Sequence, residues 1–409
     1  MAYITEFTIH GLAGRSDVYT QKLNPQINAF FGLNGSGKTS LLKILNSALS
    51  NDTTLLKNVV YTEALVEIYV PETNLIVKRS IKRYKVDILQ KKSLYDMQEI
   101  GFLSIHDSFT LQEQLNSELL EGENAELTIA RGKLENIRWT TQPRDEFDVK
   151  YAHQLLPTSR LFWEETSSRR IPSEGRTDPV FFEERLDRMY SLKLQELWNG
   201  YFSSIAADIR KAQEDGLENI LKAVLSPSTT NNTSLQSDDL NRAYNRVTEF
   251  LQRRGTPNLL GSLEAFSKLY KSNPSIRSIV SDIDEVEKRI AVAMEPRDTL
   301  QELLYKMVSG NKKIIIGDTK ITVETEEGNV IKLGNLSSGE KHLLRIFVEI
   351  LSCDGGVFLI DEPELSMHID WQRQLVGMLR TLNPTVQIIL ATHSPEILAD
   401  IPDEEIFRL

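Results

Sequence analysis

The sequence contains a single cysteine, Cys353, which excludes a secreted scaffold held together by internal disulfides. No apolar run is long enough for a membrane-spanning helix. The first residues lack both the basic and the apolar region of a signal peptide, so we expect a cytoplasmic protein with no membrane partner. With 21 glycines and 14 prolines in 409 residues, the composition is that of an ordinary globular protein.

Positive charge is also scarce, because 47 Lys and Arg face 58 Asp and Glu and give a formal net charge of −11. Such a chain does not coat nucleic acid over its whole surface, so DNA would need a local basic patch. The densest basic run covers residues 78–92 and includes Lys78, Arg79, Lys82 and Arg83. Two interpretations stay open: a ridge that follows DNA phosphates, and the solvated face of an edge strand.

The chain changes its periodicity twice. Residues 3–9, 27–31, 64–70 and 75–77 alternate in the manner of strands, and helical spacing follows from about residue 181 to residue 307. Strands and helices then alternate to the end, which predicts a parallel sheet covered by helices. We therefore predict an α/β fold with a mixed sheet, an N-terminal antiparallel β subdomain and an inserted helical subdomain. The predicted parts are residues 1–170, 171–310 and 311–409.

An apolar stripe marks one helix of the insertion. Its members are Ile276, Ile279, Ile283, Val286 and Ile290. Their spacing of three and four residues predicts a short heptad helix, which we expect to end at Pro296. The stripe fits a packed helical subdomain or a helix on which a partner docks.

A phosphate-binding loop is the most specific motif. The segment Gly32-Leu-Asn-Gly-Ser-Gly-Lys-Thr39 follows a predicted strand and opens a predicted helix. Lys38 would reach the β- and γ-phosphates, and Thr39 would offer its hydroxyl to Mg²⁺. The residues assigned to nucleotide binding are Asn34, Gly35, Ser36, Gly37, Lys38, Thr39 and Ser40.

Acidic residues end an apolar strand near the C-terminus. Asp361 and Glu362 follow Val357–Ile360, and the carboxyl end of a buried parallel strand lies where open α/β sheets bind ligands. We assign Asp361 to holding Mg²⁺ through water and Glu362 to accepting a proton from the attacking water. A solvated acidic turn is the alternative.

Two more segments complete the candidate site. His393 follows the predicted strand 386–391 and would contact the γ-phosphate from the same edge of the sheet. Ser337, Ser338 and Gly339 open a helix predicted over 340–351, which makes either an anion-receptive turn or a simple N-cap. We also expect a helix over 395–398.

Together these motifs resemble the ATP-binding cassette (ABC) ATPases, in the branch that contains RecF, the SMC proteins and the OLD ATPases. The segment Leu336-Ser-Ser-Gly-Glu340 stands where the family has its signature L-S-G-G-Q. The segment from Glu362 to Gln372 is similar to a stretch of the stand-alone members. Ser338 replaces a signature glycine, and Ile369 replaces a proline.

The resemblance implies a P-loop ABC-type head that binds ATP and Mg²⁺ and hydrolyses ATP to ADP and phosphate, with turnover that can be slow. Two copies would sandwich two nucleotides, with Ser337 of one copy at the γ-phosphate held by Lys38 of the other, and higher oligomers can form from such dimers. The family's Q-loop glutamine has no clear counterpart. Arg160 matches a P-x-x-R strand end of stand-alone members.

The insertion between Lys38 and Ser337 is too long for a transporter subunit and too short for an SMC arm. Short-insert heads of this kind resemble ATPases of anti-phage systems, namely the Septu, PARIS and retron-associated types. The sequence shows neither a C-terminal Toprim extension nor a metal-nuclease motif, so we expect a separately encoded effector, a nuclease or toxin. The alternative is a RecF-like repair or recombination ATPase that clamps DNA.

Overall fold

The computed structural model describes residues 2–83, 139–146, 149–158, 179–225, 237–253, 261–308 and 310–409. The chain divides into two compact units. The head unit comprises Met1–Leu161 and Ser338–Leu409, and the insert unit comprises Phe162–Ser337. Within the described ranges, none of the helices combines the length and the apolar composition that crossing a membrane demands.

Strands and helices are numbered in chain order. The described strands are β1 (Tyr3–His10), β2 (Val18–Lys22), β3 (Ile27–Phe31), β4 (Glu63–Val70), β5 (Leu75–Lys82), β6 (Thr140–Gln142), β7 (His153–Leu156), β8 (Lys312–Ile316), β9 (Ile321–Thr325), β10 (Val330–Ile331), β11 (Val357–Asp361), β12 (Gln387–Thr392) and β13 (Ile406–Arg408). The described α-helices are α1 (Lys38–Ser50), α2 (Pro179–Leu225), α3 (Ser237–Arg253), α4 (Leu263–Ser272), α5 (Pro274–Met307), α6 (Ser338–Ser352) and α7 (Ile369–Leu382).

The first sheet of the head unit is antiparallel, with the strand order β2-β1-β4-β5-β6. The predicted hairpin is confirmed, since β4 pairs with β5 and Val70 lies opposite Leu75. Alternation along β5 turns Val77, Arg79 and Ile81 into the protein and leaves Lys78 and Lys82 outside. The predicted antiparallel β subdomain therefore forms as expected.

The second sheet of the head unit is parallel, with the order β13-β3-β12-β11-β7. Every residue of β11 and β12 is buried, as their unbroken apolar runs predict for the central strands of a parallel sheet. Because β12 lies between β3 and β11, the carboxyl ends of these three strands meet at one edge. The mixed α/β fold is confirmed, and this edge carries the predicted site.

A buried glutamine joins the two sheets. Gln387, at the start of β12, accepts a hydrogen bond from the Ile4 backbone N–H at 2.9 Å and donates to the Ile4 carbonyl oxygen at 2.8 Å. Its amide also donates to the Asn24 carbonyl oxygen at 2.7 Å. One side chain thus satisfies three buried or half-buried backbone groups, for which water would be a poor substitute.

Substitution Gln387→Leu should therefore destabilise the head unit. We expect a loss of about 3 kcal/mol in the free energy of unfolding, because the leucine side chain leaves these three backbone groups without hydrogen-bond partners. Urea denaturation followed by tryptophan fluorescence measures this loss. Gln374→Leu, on the exposed face of α7, is the matched control and should change stability by less than about 0.5 kcal/mol. Equal losses in both variants would contradict the bridging role.

In the insert unit, α2 and α5 pack along one another, and β8, β9 and β10 form a separate three-stranded sheet. Residues 311–337, which the sequence pattern joined to the C-terminal half of the head, group with the insert unit instead. The reason is strand pairing: β8, β9 and β10 bond to one another and to neither sheet of the head unit.

Two predictions about helices were wrong, one of a helix end and one of a whole helix. Pro296 lies inside α5, which continues to Met307, because the apolar stripe resumes beyond the proline with the buried Leu300 and Leu304. Residues 395–400 form consecutive turns, since their backbone bonds join residues three apart, as from the Leu398 N–H to the Pro395 oxygen. A segment this short cannot repay the cost of starting an α-helix.

The heptad stripe of α5 packs inside the insert unit. Val280 and Ile283 belong to one buried cluster with Phe266, and Ile276 and Ile279 pack against that cluster. Val286 is buried as well. This packing favours the helical-subdomain interpretation over a docking helix.

Candidate functional site

The phosphate-binding loop joins β3 to α1 and depends on its glycines. Gly35 and Gly37 have φ values of +81° and +103°, a region that residues with a side chain rarely adopt. At Gly32 a Cβ atom would lie 2.6 Å from the Leu409 carbonyl oxygen, too close for any other residue. The loop can therefore wrap tightly at the start of α1, where backbone N–H groups and the helix dipole attract phosphate.

The Lys38 side chain is held by the loop itself. Its ammonium donates hydrogen bonds to the carbonyl oxygens of Gly32 at 3.0 Å and Leu33 at 3.1 Å. It also lies 3.4 Å from Ser36 Oγ and 3.4 Å from His393 Nδ1. Lys38 and His393 come from opposite ends of the chain, so the predicted convergence occurs at this ammonium.

The electrostatic surroundings of Lys38 are mixed. Burial lowers the pKa of Lys38, because an ammonium loses hydration there, while the carboxylates of Glu362, Asp361 and Glu364 act to raise it. Three carboxylates around one ammonium leave an excess of negative charge. A divalent cation would balance that excess.

Asp361 ends β11 with its carboxylate buried. Its Oδ2 accepts hydrogen bonds from Thr39 Oγ1 at 2.8 Å and from Thr158 Oγ1 at 2.5 Å. Its Oδ1 is buried and has no hydrogen-bond partner among the described residues. A buried carboxylate oxygen without a donor is costly, and a hard cation such as Mg²⁺ favours oxygen ligands of this kind. The residues present thus fit Mg²⁺, which Asp361 and Thr39 would hold.

Glu362 follows Asp361 in an unusual backbone conformation. Its φ is +51°, and its N–H donates to the Ala391 carbonyl oxygen at 2.8 Å, which ties the turn to β12. Its carboxylate Oε1 lies 3.4 Å from His393 Nε2. Non-glycine residues with positive φ are strained and concentrate at functional sites. The turn aims this carboxylate at the edge where Lys38 and His393 meet.

The sequence interpretation missed two residues of this site. Glu364 Oε1 accepts hydrogen bonds from the backbone N–H groups of His393 at 2.7 Å and Ser394 at 3.2 Å, so it fixes the turn that carries His393. Thr158 is the second donor on Asp361. For Glu364, its place two residues after Glu362 was an available signal. For Thr158, the available signal was only its position just beyond a strand.

The signature segment begins α6. A Cβ atom on Gly339 would lie 2.4 Å from the Ser366 carbonyl oxygen, so a glycine is needed where the start of α6 contacts the turn after β11. Ser338 is the first residue of α6, and Ser337 is grouped with the insert unit. The predicted nucleotide contact of Ser337, Ser338 and Gly339 is with a second copy, and it stays a prediction.

The described part of the basic run is engaged within the chain. Lys78 pairs with Glu67, and Lys82 pairs with Glu63 at 3.0 Å. Arg79 is fully buried and donates to the carbonyl oxygens of Ala48, Leu49 and Val149.

This pairing leaves the DNA-ridge interpretation without support from residues 78–83. Arg83 donates to the carbonyl oxygens of Leu56 and Lys57 and stacks on the Tyr61 ring. Residues 84–92 and Arg160 lie outside the described residues.

The structure therefore brings together five predicted side chains from three strand ends. They are Lys38 and Thr39 after β3, Asp361 and Glu362 at the end of β11, and His393 after β12. In the described parts of the chain, no group of three or more His, Cys, Asp or Glu side chains is arranged to hold a metal ion, so the candidate metal site depends on Asp361 and the Thr39 hydroxyl. The arrangement can hold a metal-bound triphosphate beside a carboxylate base.

Comparisons with known proteins find relatives that are described as probable ATPases. The family described as "AAA domain, putative AbiEii toxin, Type IV TA system" matches residues 202–399. The Retron Vc95 probable ATPase of Vibrio cholerae is 23% identical over 250 residues, which cover 56% of this chain and 44% of that protein. The Retron Ec83 probable ATPase of Escherichia coli is 26% identical over 125 residues, which cover 27% and 23%.

A third relative is the Septu protein PtuA of Bacillus thuringiensis, 35% identical over 54 residues, which cover 13% of this chain and 14% of that protein. The matched stretches span less than half the length of each of these relatives. Among solved structures, an Smc head domain from Pyrococcus furiosus superposes over 98% of this chain and 92% of that chain, at 13% identity and a TM-score of 0.42. That score is too low to add to what the strand order already establishes.

Proposed function

We propose that this chain, an ABC-type ATPase of the kind found in anti-phage defence, is an ATP-gated switch that controls a separately encoded effector. The observation that carries the proposal is the meeting of Lys38, Thr39, Asp361, Glu362 and His393 at one edge of the parallel sheet. In open α/β folds, ligands such as nucleotides bind at the carboxyl ends of the strands.

Each side chain has a role in hydrolysis of ATP to ADP and phosphate. Lys38 binds the β- and γ-phosphates, while Thr39 and Asp361 hold Mg²⁺. Glu362 accepts a proton as water attacks the γ-phosphorus and the bond to the bridging oxygen breaks. His393 hydrogen-bonds the γ-phosphate from beside Lys38. Bound Mg²⁺ supplies positive charge that stabilises the phosphoryl oxygens.

A single copy offers only part of the site. In the proposed closed state, two copies pair so that Ser337 of each reaches the γ-phosphate held by Lys38 of the other. Such an interface is isologous, so one pairing completes both sites. ATP binding then becomes a change in assembly, which is a signal that an effector can read.

Reconstitution with the product of the neighbouring gene tests this function. We expect the two proteins to associate in ATP and Mg²⁺ and to separate in ADP, because only the triphosphate bridges the two copies. Lys38→Ala, which removes the ammonium that would bind the phosphates, should lose the ATP-dependent association, and a cooperative thermal transition without nucleotide checks that the variant is folded. Size-exclusion chromatography with light scattering measures the association of the two proteins. Association that is independent of nucleotide, or that persists in Lys38→Ala, would contradict the proposed function as a switch.

A further inference from the structure

Asp361 receives a second hydroxyl that no motif accounts for. Thr158 Oγ1 donates to Asp361 Oδ2 at 2.5 Å, and Thr39 Oγ1 donates to the same oxygen at 2.8 Å. A carboxylate oxygen has two lone-pair sites, so these two donors fill Oδ2. The remaining oxygen, Oδ1, is buried and has no partner among the described residues.

Strand pairing explains why Thr158 reaches this carboxylate. β7 runs parallel to β11 on the side away from β12, with Leu156 opposite Ile360. The residues just beyond β7 therefore lie beside Asp361, at the same edge as the phosphate-binding loop. Thr158 is half-buried there.

A side chain within β7 also ties this strand to α6. Gln154 Nε2 donates to Glu349 Oε2 at 2.6 Å, and Arg345 Nε donates to Glu349 Oε1 at 3.0 Å. Arg345 and Glu349 are buried on α6, so this ion pair anchors β7 against a helix of the head unit. The anchored strand ends two residues before Thr158, so the backbone that carries this threonine starts from a fixed point, as a positioning side chain requires.

We propose that Thr158 is a positioning residue of the magnesium site: its hydroxyl, with that of Thr39, turns the Asp361 carboxylate so that Oδ1 is directed to the metal. The inference rests on the proposed function, because it presumes that ATP binds with Mg²⁺. Thr39 belongs to the phosphate loop and would contact the metal itself. Thr158 acts only through Asp361. It therefore sets the affinity of the site for Mg²⁺ and leaves the contacts with the adenine and the phosphates unchanged.

The test is a Mg²⁺ titration of nucleotide binding, read by the fluorescence of a labelled ATP analogue, with no turnover required. Thr158→Val keeps the side-chain shape and removes the hydroxyl. We expect the Mg²⁺ concentration for half-maximal binding to rise by about 10-fold or more, the range found for groups that orient metal ligands. Thr158→Ser restores a hydroxyl and should return the midpoint to within about twofold of wild type.

Thr141→Val is the matched control, since Thr141 is a buried threonine of the head unit whose hydroxyl has no partner in the described ranges. It should leave the midpoint unchanged. A Thr158→Val midpoint equal to that of Thr141→Val would overturn the inference. If Thr158→Val does not fold, Thr158→Ser and Thr158→Ala are compared in the same titration, and equal midpoints overturn it. Wild-type protein that binds the analogue no better than Lys38→Ala would instead sink the proposed function.

Discussion

Replacing Glu362 by glutamine should slow ATP turnover by about 10²- to 10⁴-fold while leaving ATP binding intact. The glutamine amide keeps the shape of the side chain, but it cannot accept a proton from the attacking water. The positive φ of Glu362 and the hydrogen bond from its N–H to Ala391 belong to the backbone, so the turn should survive the change. Phosphate release at saturating ATP measures turnover, and a fluorescent ATP analogue measures binding.

The same variant should also accumulate the closed pair, because ATP is bound and not consumed. Light scattering should then report twice the monomer mass of 46.6 kDa in ATP and the monomer mass in ADP. Glu63→Gln is the control: Glu63 carries an equivalent carboxylate on β4, where it pairs with Lys82. Its turnover should match wild type. Unchanged turnover in Glu362→Gln would remove Glu362 as the base.

Substitution Ser337→Arg should abolish ATP-dependent pairing of two copies and lower turnover by about 100-fold or more. The proposed interface places this hydroxyl against the γ-phosphate of the other copy, where an arginine side chain is too large to fit. Binding of ATP to the single copy should stay at the wild-type level, because Lys38, Thr39 and Asp361 belong to the head unit of the same chain. Light scattering and analogue binding separate the two effects.

Ser203→Arg controls for the added charge and volume. Ser203 is exposed on α2, where its hydroxyl donates to the Asn199 carbonyl oxygen of the preceding turn. This variant should pair and hydrolyse ATP as the wild type does. Pairing that survives in Ser337→Arg would show that the copies meet through another surface.

The chemistry-bearing strand ends could be predicted from the sequence because they depend on local patterns. The glycines, lysine and threonine of residues 32–39 stand in a fixed spacing, and the carboxyl ends of parallel strands meet at one edge of a sheet. These two facts suffice to place Lys38, Asp361 and His393 together. The contact of Lys38 with His393 spans 355 positions, yet each of the two residues is marked by its own strand.

The contacts of Thr158 and Glu364 could not be predicted in the same way. Thr158 meets Asp361 across 203 positions, and nothing local distinguishes a threonine after a strand that donates to a carboxylate from one that faces water. The position of β7 beside β11, on which this contact depends, is a property of the whole sheet. Glu364 was visible as a residue, but its bonds to the turn at His393 needed the two strand ends to be in place.

The basic run shows a further limit. Lys78, Arg79 and Lys82 have the same charge, and a pattern of charge alone treats them alike. The alternation of β5 separates them, since Arg79 lies on the face of Val77 and Ile81. Burial of its guanidinium is tolerated because it donates to backbone oxygens at the end of α1 and lies over the Tyr151 ring.

The central claim is that the phosphate loop of one copy and the signature segment of a second copy enclose one nucleotide. Cysteine cross-linking tests this claim most directly. Cys353 is buried, and burial raises the pKa of its thiol to about 12, so the native cysteine will not react. Leu33→Cys places a thiol on the exposed tip of the phosphate loop, and Ser338→Cys places one at the exposed start of α6.

Each change is made in a separate Glu362→Gln chain, and the two proteins are mixed with a short bismaleimide reagent. We predict a cross-linked dimer in the mixture with ATP and Mg²⁺, little with ADP, and none when either protein is treated alone. Cross-linking that is independent of ATP, that forms equally within each protein alone, or that fails to form in ATP would contradict the shared site.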